Sequence, residues 1–248
     1  MLTPTFIAHR GYAASFPENT LIALKAARQA GAEFIEVDVQ LSKDLVPVLF
    51  HDRDLQRLCQ QQGVIHDYTF DELKTFNVAD VEKFSDIYSA NKITSLQEFI
   101  DYLKVDSELK VFIELKRLMI EHFGEKKVLE ILLPMFAEME QQICFISYNQ
   151  SVLKTIHASS QFATGIVVDK WSEYNSNAGW ESEWLFCSVE GLPENNEALA
   201  IKPKLAIFEV GNIGVAKHLL AKGISHLETF RIKEMMQAFS NSGAGTKT

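Results

Sequence analysis

The sequence has only three cysteines, Cys59, Cys144 and Cys187, and an odd number cannot be fully paired within one chain. We therefore expect buried or free thiols in a reducing compartment rather than a disulfide framework. Apolar residues nowhere run for the roughly 18 positions that a membrane span needs. The N-terminus lacks the basic and apolar segments of a signal peptide. These absences predict a cytoplasmic protein.

Positive charge is also scarce, since 24 basic residues face 33 acidic ones and the formal net charge is −9. This balance argues against charge-driven binding of nucleic acid and against stable association with an anionic membrane. An anionic small-molecule substrate would need a local cluster of positive charge. A bound divalent cation would provide one.

Short apolar runs alternate with amphipathic segments over most of the 248 residues. Eight strands with intervening helices favour an α/β fold, a TIM-type (β/α)8 barrel, with residues 1–248 forming a single barrel domain. The predicted strands are Thr5–His9, Glu33–Val39, Lys110–Lys116, Ile143–Tyr148, Ala163–Val168, Trp184–Val189, Leu205–Glu209 and Ser225–Thr229. Helical patterns cover Thr20–Ala30, Glu121–Glu140, Gln150–Ala158 and Asn212–Lys222.

One strand-like run, at Val46–His51, breaks this alternation because only the turn-like Ser42–Leu45 separates it from the second strand. A parallel crossover needs about a dozen residues or more, so the run should form an antiparallel hairpin outside the barrel. It would begin a small insertion after the second strand, at about 42–104, with short helices at Thr69–Phe76 and Thr94–Leu103. The polar tail 240–248 is expected to be disordered.

Three acidic residues interrupt apolar strands at their carboxyl ends. Glu36 and Asp38 share one face of the second strand, and Glu114 and Lys116 have the same spacing on the next barrel strand. A single lysine cannot neutralise three carboxylates, and buried uncompensated charge is costly. We therefore expect one divalent cation, Mg²⁺ or Ca²⁺, rather than structural ion pairs alone. Zinc is disfavoured because no cysteine or histidine pair has ligand spacing.

Two histidines follow strands and precede charged residues, in His9–Arg10 and His51–Asp52. Two imidazoles on opposite sides of a phosphorus could act as general base and general acid. Arg10 offers a forked donor for phosphate oxygens, and Lys116 adds a second positive charge. Glu18 could brace Arg10 or His9, within a Pro17–Thr20 segment that reads as a helix start with Asn19 or Thr20 as the N-cap. The other five histidines are expected to be structural or exposed.

The ordered series of motifs resembles the glycerophosphodiester phosphodiesterase family. The motifs are His9-Arg10-Gly11, Pro17-Glu18-Asn19-Thr20, Glu36-Val37-Asp38, Pro47-Val48-Leu49-Phe50-His51-Asp52 and Glu114-Leu115-Lys116, with weaker echoes at Leu55-Gln56-Arg57 and Ser147-Tyr148-Asn149. The resemblance is specific over Thr5–Lys116 and weak beyond it.

The resemblance implies a TIM-type barrel with a small insertion after the HD pair. It implies His9 and His51 as the catalytic pair, Arg10 and Lys116 as substrate-binding residues, and Glu18 and Asp52 in support. It also implies Glu36, Asp38 and Glu114 as ligands of a divalent metal. The implied reaction is hydrolysis of a glycerophosphodiester to glycerol 3-phosphate and an alcohol, with water or the glycerol 2-hydroxyl as the nucleophile. The sequence leaves the preferred alcohol, the oligomeric state and the separate roles of the two histidines open.

The resemblance weakens at two later strand ends. Glu209-Val210-Gly211-Asn212 replaces the usual Trp-Thr-Val-Asn, and Thr229-Phe230-Arg231-Ile232 replaces Thr-Asp-x-Pro. These departures concern substrate preference more than chemistry. Glu209 could meet a cationic alcohol such as choline or ethanolamine, which Glu209→Gln would test.

Two alternative functions remain. One is a phosphodiesterase of a related barrel family that cleaves phospholipids, although no exposed apolar or basic approach surface is evident in the sequence. The other is a barrel that binds ligands without catalysis, which the altered C-terminal half keeps open. Assays on lipid vesicles would identify a lipid-cleaving enzyme, and cation-dependent release of glycerol 3-phosphate would exclude a barrel that only binds ligands.

Overall fold

The chain forms a closed barrel of eight parallel strands in the computed structural model, which describes residues 2–174, 180–194 and 201–243. The first barrel strand pairs in parallel with both the second and the last, so the sheet closes on itself. This confirms the predicted (β/α)8 architecture. In chain order the strands are β1 Thr5–His9, β2 Phe34–Leu41, β3 Pro47–Leu49, β4 Lys110–Leu115, β5 Ile143–Ser147, β6 Ala163–Val168, β7 Trp184–Ser188, β8 Lys204–Phe208 and β9 His226–Thr229.

Helices surround the barrel and occupy the connection after β2. They are α1 Leu21–Gln29, α2 Gln56–Cys59, α3 Phe70–Leu73, α4 Val81–Phe84, α5 Leu96–Leu103, α6 Arg117–Phe123, α7 Glu125–Met135, α8 Gln150–Ser159, α9 Ile213–Ala221 and α10 Ile232–Gly243. The end of α10 overlaps the predicted disordered tail 240–248, whose remainder, 244–248, lies outside the described residues.

The single helix predicted over Glu121–Glu140 is wrong. The structure has α6 and α7 instead, separated by Gly124 at φ +82°. Glycine adopts this left-handed conformation without the clash that a Cβ would cause, so it ends one helix and redirects the chain. The apolar periodicity continues across the break and conceals it.

The alternation of β2 decides which side chains face the barrel interior. Ile35, Val37 and Val39 belong to the large apolar cluster between the sheet and the helices. Glu36 and Asp38 therefore point to the opposite, interior face. Below them, a cluster of apolar side chains fills the barrel interior. Its members are Ile7, Phe112, Cys144, Ile146, Val167, Trp184, Phe186 and Ala206. The polar site is thus confined to one end of a packed barrel.

Strand β3 is antiparallel to β2, with Gln40 opposite Val48, as the short connection predicts. The segment that follows has its own small apolar cluster, consisting of Val48, Phe50, Leu55, Leu58, Cys59, Ile65, Leu73, Val78 and Ile93. This cluster fixes the chain beside the carboxyl end of β2, where His51 and Asp52 lie. The insertion limits at about 42 and 104 stay a prediction.

Cys59, Cys144 and Cys187 are free and buried. Among the helices of the described residues, none combines the length and the apolar character needed to cross a bilayer.

Candidate active site

Three carboxylates converge at the carboxyl ends of β2 and β4. The two strands are neighbours in register, with Asp38 opposite Glu114. Glu36, Asp38 and Glu114 are all buried, and one oxygen from each lies within 4.8 Å of the others. The structure therefore brings together the three acids that the sequence singles out.

Asp38 is completely buried and surrounded by donors. Lys116 Nζ lies 3.1 Å from Asp38 Oδ1, and Asn19 Nδ2 donates a hydrogen bond of 2.8 Å to Oδ2. Arg10 Nε lies 3.1 Å from the same Oδ2. Burial alone would favour the neutral acid, but Lys116 and Arg10 hold the pKa of Asp38 well below its usual range. Asp38 is thus a fixed negative charge at the centre of the site.

Glu36 has the opposite electrostatic environment. Burial, followed by the negative charges of Asp38 and Glu228, raises the pKa of Glu36 well above its usual value. Its Oε1 is buried and has no hydrogen-bond partner among the described residues. A buried carboxylate oxygen without a donor is costly, and a divalent cation would relieve that cost.

A fourth acid, Glu228 on β9, was not identified from the sequence. It is 3% exposed, and its Oε1 also lacks a partner among the described residues. His9, Glu36 and Glu228 each place one possible ligand atom within 4.8 Å of the others. Burial raises the pKa of Glu228 as it does that of Glu36. The signal available was one acid in the mixed segment Ile224–Thr229, which also contains a serine, a histidine and a threonine and is too weak without the fold to place Glu228 at the site.

The charge balance around these acids favours one divalent cation. Four carboxylates occupy the site, and Lys116 binds Glu114 at 2.8 Å as well as Asp38. Arg10 supplies the second nearby positive charge. Two negative charges are left over if all four acids are ionised, and one Mg²⁺ or Ca²⁺ would neutralise them. The all-oxygen set of Glu36, Asp38 and Glu114 suits these hard cations.

His9 ends β1 beneath the site and is only 7% exposed. Its Nδ1 lies 3.2 Å from Glu209 Oε1, and its Nε2 lies 3.7 Å from Glu36 Oε2. The Phe230 ring stacks on the imidazole, with 4.5 Å between centroids. Burial, reinforced by Arg10, lowers the pKa of His9 to about 4. His9 is therefore a neutral imidazole near pH 7, as a general base must be.

His51 follows β3 and is held through its neighbour. Its Nδ1 lies 2.9 Å from Asp52 Oδ1. Asp52 in turn accepts hydrogen bonds of 2.7 and 2.8 Å from Arg57, which also donates bonds of 2.8 and 3.0 Å to Glu18. Glu18 accepts a further 2.9 Å bond from Arg10 Nη1. A continuous ionic network therefore joins His51 to Arg10, with Arg57 at its centre.

The turn after β1 contains residues with positive φ angles. Arg10 and Gly11 have φ of +56° and +83°, and Asn19 has φ of +56°. Asn19 N donates to Arg10 O at 3.1 Å, so the two left-handed residues support each other. Left-handed non-glycine residues are uncommon and concentrate at functional sites. Thr20 caps α1 by accepting a hydrogen bond from Ala23 N, which frees Asn19 to bind Asp38.

A cavity of about 430 Å³ opens beside the acids, and its lining includes His51, Asp52, Glu114, Lys116 and Tyr148. His51 has 32% of its side chain exposed, against 9% for His9. The two histidines therefore differ in setting: one lines an open cavity and the other is buried beside Glu36.

Together these features define a (β/α)8 barrel with a buried acidic site, flanked by two carboxylate-bound histidines, at the carboxyl ends of its strands. Residues 9–185 match the model of the glycerophosphoryl diester phosphodiesterase family, so the chain belongs to that family.

Curated proteins match part of this chain in sequence. YqiK of Bacillus subtilis is 40% identical over 124 residues, or 50% of each chain. A glycerophosphodiester phosphodiesterase of Bacillus altitudinis is 34% identical over 151 residues, or 60% of each chain. The matched segments thus span about half to three fifths of these relatives' own lengths.

Among solved structures, an Oleispira antarctica phosphodiesterase in complex with the product sn-glycerol-3-phosphate superposes with a TM-score of 0.83 at 25% identity. The match covers 96% of this chain and 97% of that one. A glycerophosphodiester phosphodiesterase of Thermotoga maritima matches with a TM-score of 0.72 at 21% identity, covering 96% and 99% of the two chains. The second likeness shows the shared fold.

Proposed function

We propose that this protein hydrolyses glycerophosphodiesters to glycerol 3-phosphate and an alcohol, with the help of one divalent cation. The observation that carries the proposal is the pairing of three converging carboxylates with two histidines, each bound at Nδ1 by a carboxylate. The structural neighbour from Oleispira antarctica holds sn-glycerol-3-phosphate, the product proposed here.

Glu36, Asp38 and Glu114 would hold the cation, Mg²⁺ or Ca²⁺. The orphaned Oε1 of Glu36 and the unbalanced charge of the acids support this assignment. When bound, such an ion offsets negative charge that develops on a phosphoryl oxygen. Lys116 would orient the phosphate from the cavity side, since it lines the cavity and its ammonium already lies between Asp38 and Glu114.

Arg10 is assigned a role in binding phosphate oxygens through its guanidinium. Glu18 supports Arg10 by accepting a hydrogen bond of 2.9 Å from Nη1, which fixes the plane of the guanidinium group. Asp38, Glu18 and Glu36 outweigh the effect of burial and raise the pKa of Arg10, so it stays charged.

The two histidines would move protons at the reacting oxygens. In hydrolysis one histidine accepts the proton of the attacking water. The bond between phosphorus and the alcohol oxygen then breaks, and the other histidine donates a proton to that oxygen. A neutral His9, beside Glu36 at the base of the site, suits the accepting role. His51 would be the donor, oriented by the contact of its Nδ1 with Asp52, while Arg57 holds Asp52 in place.

The test measures the release of glycerol 3-phosphate from glycerophosphocholine, glycerophosphoethanolamine and glycerophosphoglycerol. Each substrate is assayed with Mg²⁺, with Ca²⁺ and with EDTA. We expect cation-dependent release that His51→Ala lowers by about 10²–10⁴-fold and that the matched control His157→Ala, at an exposed position on α8, leaves unchanged. Activity confined to phospholipid vesicles would instead indicate a lipid-cleaving enzyme. Ligand binding without turnover would indicate a binding barrel. The cytoplasmic location and a role in glycerol and lipid metabolism stay predictions.

A further inference from the structure

The two strand ends at which the sequence departs from its family meet at one side chain. Glu209 follows β8, and Phe230 follows β9. Glu209 contacts the ring edge of His9, and Phe230 covers one ring face at an interplanar angle of 11°. The departures therefore surround a residue that the proposed function makes catalytic.

The contact between Glu209 and His9 determines which nitrogen of the imidazole carries the hydrogen. An ionised carboxylate only accepts hydrogen bonds, so the 3.2 Å contact requires the imidazole to carry hydrogen on Nδ1. The neutral ring then has its lone pair on Nε2. That nitrogen lies 3.7 Å from Glu36 Oε2, on the side of the acid cluster. A carboxylate bound to one imidazole nitrogen is a common means of setting the tautomer and orientation of the other.

We propose that Glu209 is a positioning residue that holds His9 with its Nε2 lone pair directed into the site, while Phe230 fixes the plane of the ring. The proposal rests on the proposed function, in which His9 accepts the proton of the attacking water. Stacking of Phe230 restricts rotation of the imidazole about its Cβ–Cγ bond, and the hydrogen bond selects one of the two flipped orientations.

The structure supports this role over recognition of a cationic alcohol by Glu209. One Glu209 oxygen is engaged by His9, since Oε1 lies 3.2 Å from His9 Nδ1. Its side chain is still 43% exposed, so the other oxygen remains open to solvent. Recognition of choline or ethanolamine is therefore the competing outcome that the experiment must separate.

The kinetic test compares Glu209→Leu and Glu209→Gln with the native protein. Glu209→Leu removes the acceptor, and we expect kcat to fall about 10- to 100-fold, as for other partners of functional histidines. KM should change little, because the side chain is assigned no contact with substrate. Glu209→Gln keeps an acceptor oxygen and should recover part of kcat. Glu130→Gln, at an exposed position on α7, is the matched control.

The structural test uses nitrogen NMR of the His9 ring in the full chain at neutral pH, with and without Mg²⁺. We expect hydrogen on Nδ1 in the native protein and a shift towards hydrogen on Nε2 in Glu209→Leu. A native ring with hydrogen on Nε2 would overturn the proposal. So would a Glu209→Leu variant with raised KM for choline and ethanolamine esters and unchanged kcat. If the native protein hydrolyses no diester, the proposed function fails, and the ring spectrum still decides the role of Glu209.

Discussion

Arg57 is the most connected cation of the ionic network, and replacing it with methionine tests how His51 is held. The guanidinium donates four hydrogen bonds of 2.7 to 3.0 Å, two to Asp52 and two to Glu18. Methionine keeps much of the aliphatic volume and removes every donor. Both carboxylates would then lose their bidentate partner, although His51 and Arg10 would still contact them.

The expected loss of stability in Arg57→Met depends on how far Arg57 and its partners are exposed to solvent. Breaking a buried ion pair by removing one partner costs about 3–5 kcal/mol. The Glu18 side chain is only 7% exposed, but that of Arg57 is 38% exposed, so solvent weakens the interaction. We therefore expect Arg57→Met to lower the free energy of unfolding by about 2–3 kcal/mol, or the Tm by about 5–10 °C.

Urea and thermal unfolding, each followed by circular dichroism, would measure this loss. Arg28→Met is the matched control, because Arg28 binds the single carboxylate of Asp106 through two hydrogen bonds. We expect a loss of about 1 kcal/mol for Arg28→Met and normal diester hydrolysis. An Arg57→Met protein as stable as Arg28→Met, with native kcat, would refute the view that Arg57 organises this side of the site.

Three further predictions concern chemistry, cation binding and backbone. His9→Ala and His51→Ala should each lower kcat by about 10²–10⁴-fold, and near-native turnover in either would remove that residue from the acid–base pair. Mg²⁺ or Ca²⁺ should raise the Tm, and more at pH 8 than at pH 5. The raised pKa of Glu36 disfavours the folded state at high pH, where the acid must ionise, and the cation removes that penalty. Equal Tm shifts at both pH values would contradict this. Gly11→Ala should cost at least about 2 kcal/mol, because Gly11 has φ +83° and an added Cβ would lie 2.7 Å from the backbone carbon of Ala23; unchanged urea unfolding would show that the turn can adjust.

Much of the barrel could be predicted because each strand carries its own signal. Eight apolar runs with intervening helices predict the closed sheet, and the short turn at Ser42–Leu45 predicts the β2–β3 hairpin. The break at Gly124 could not be predicted as easily, since a glycine within a continuous amphipathic pattern is also tolerated inside helices. Local periodicity reports burial, whereas a helix end depends on backbone conformation.

The candidate site also contains some residues that could be predicted from the sequence and others that could not. Glu36, Asp38 and Glu114 could be grouped because their spacing and neighbouring strands place them on one face. Glu228 and Glu209 could not, because their partners are about 200 residues away in the sequence and are reached only when the barrel closes between β9 and β1. Arg57 shows an intermediate case: the family motif marks it, but only the folded insertion brings it to both Asp52 and Glu18.

The proposed metal site is best tested by anomalous diffraction from crystals of this protein soaked with Mn²⁺, which replaces Mg²⁺ and has a strong anomalous signal. We expect one ion bound by oxygens of Glu36, Asp38 and Glu114 at about 2.0–2.3 Å. Mn²⁺ bound elsewhere, with these three carboxylates still held only by Lys116, Arg10 and Asn19, would contradict it.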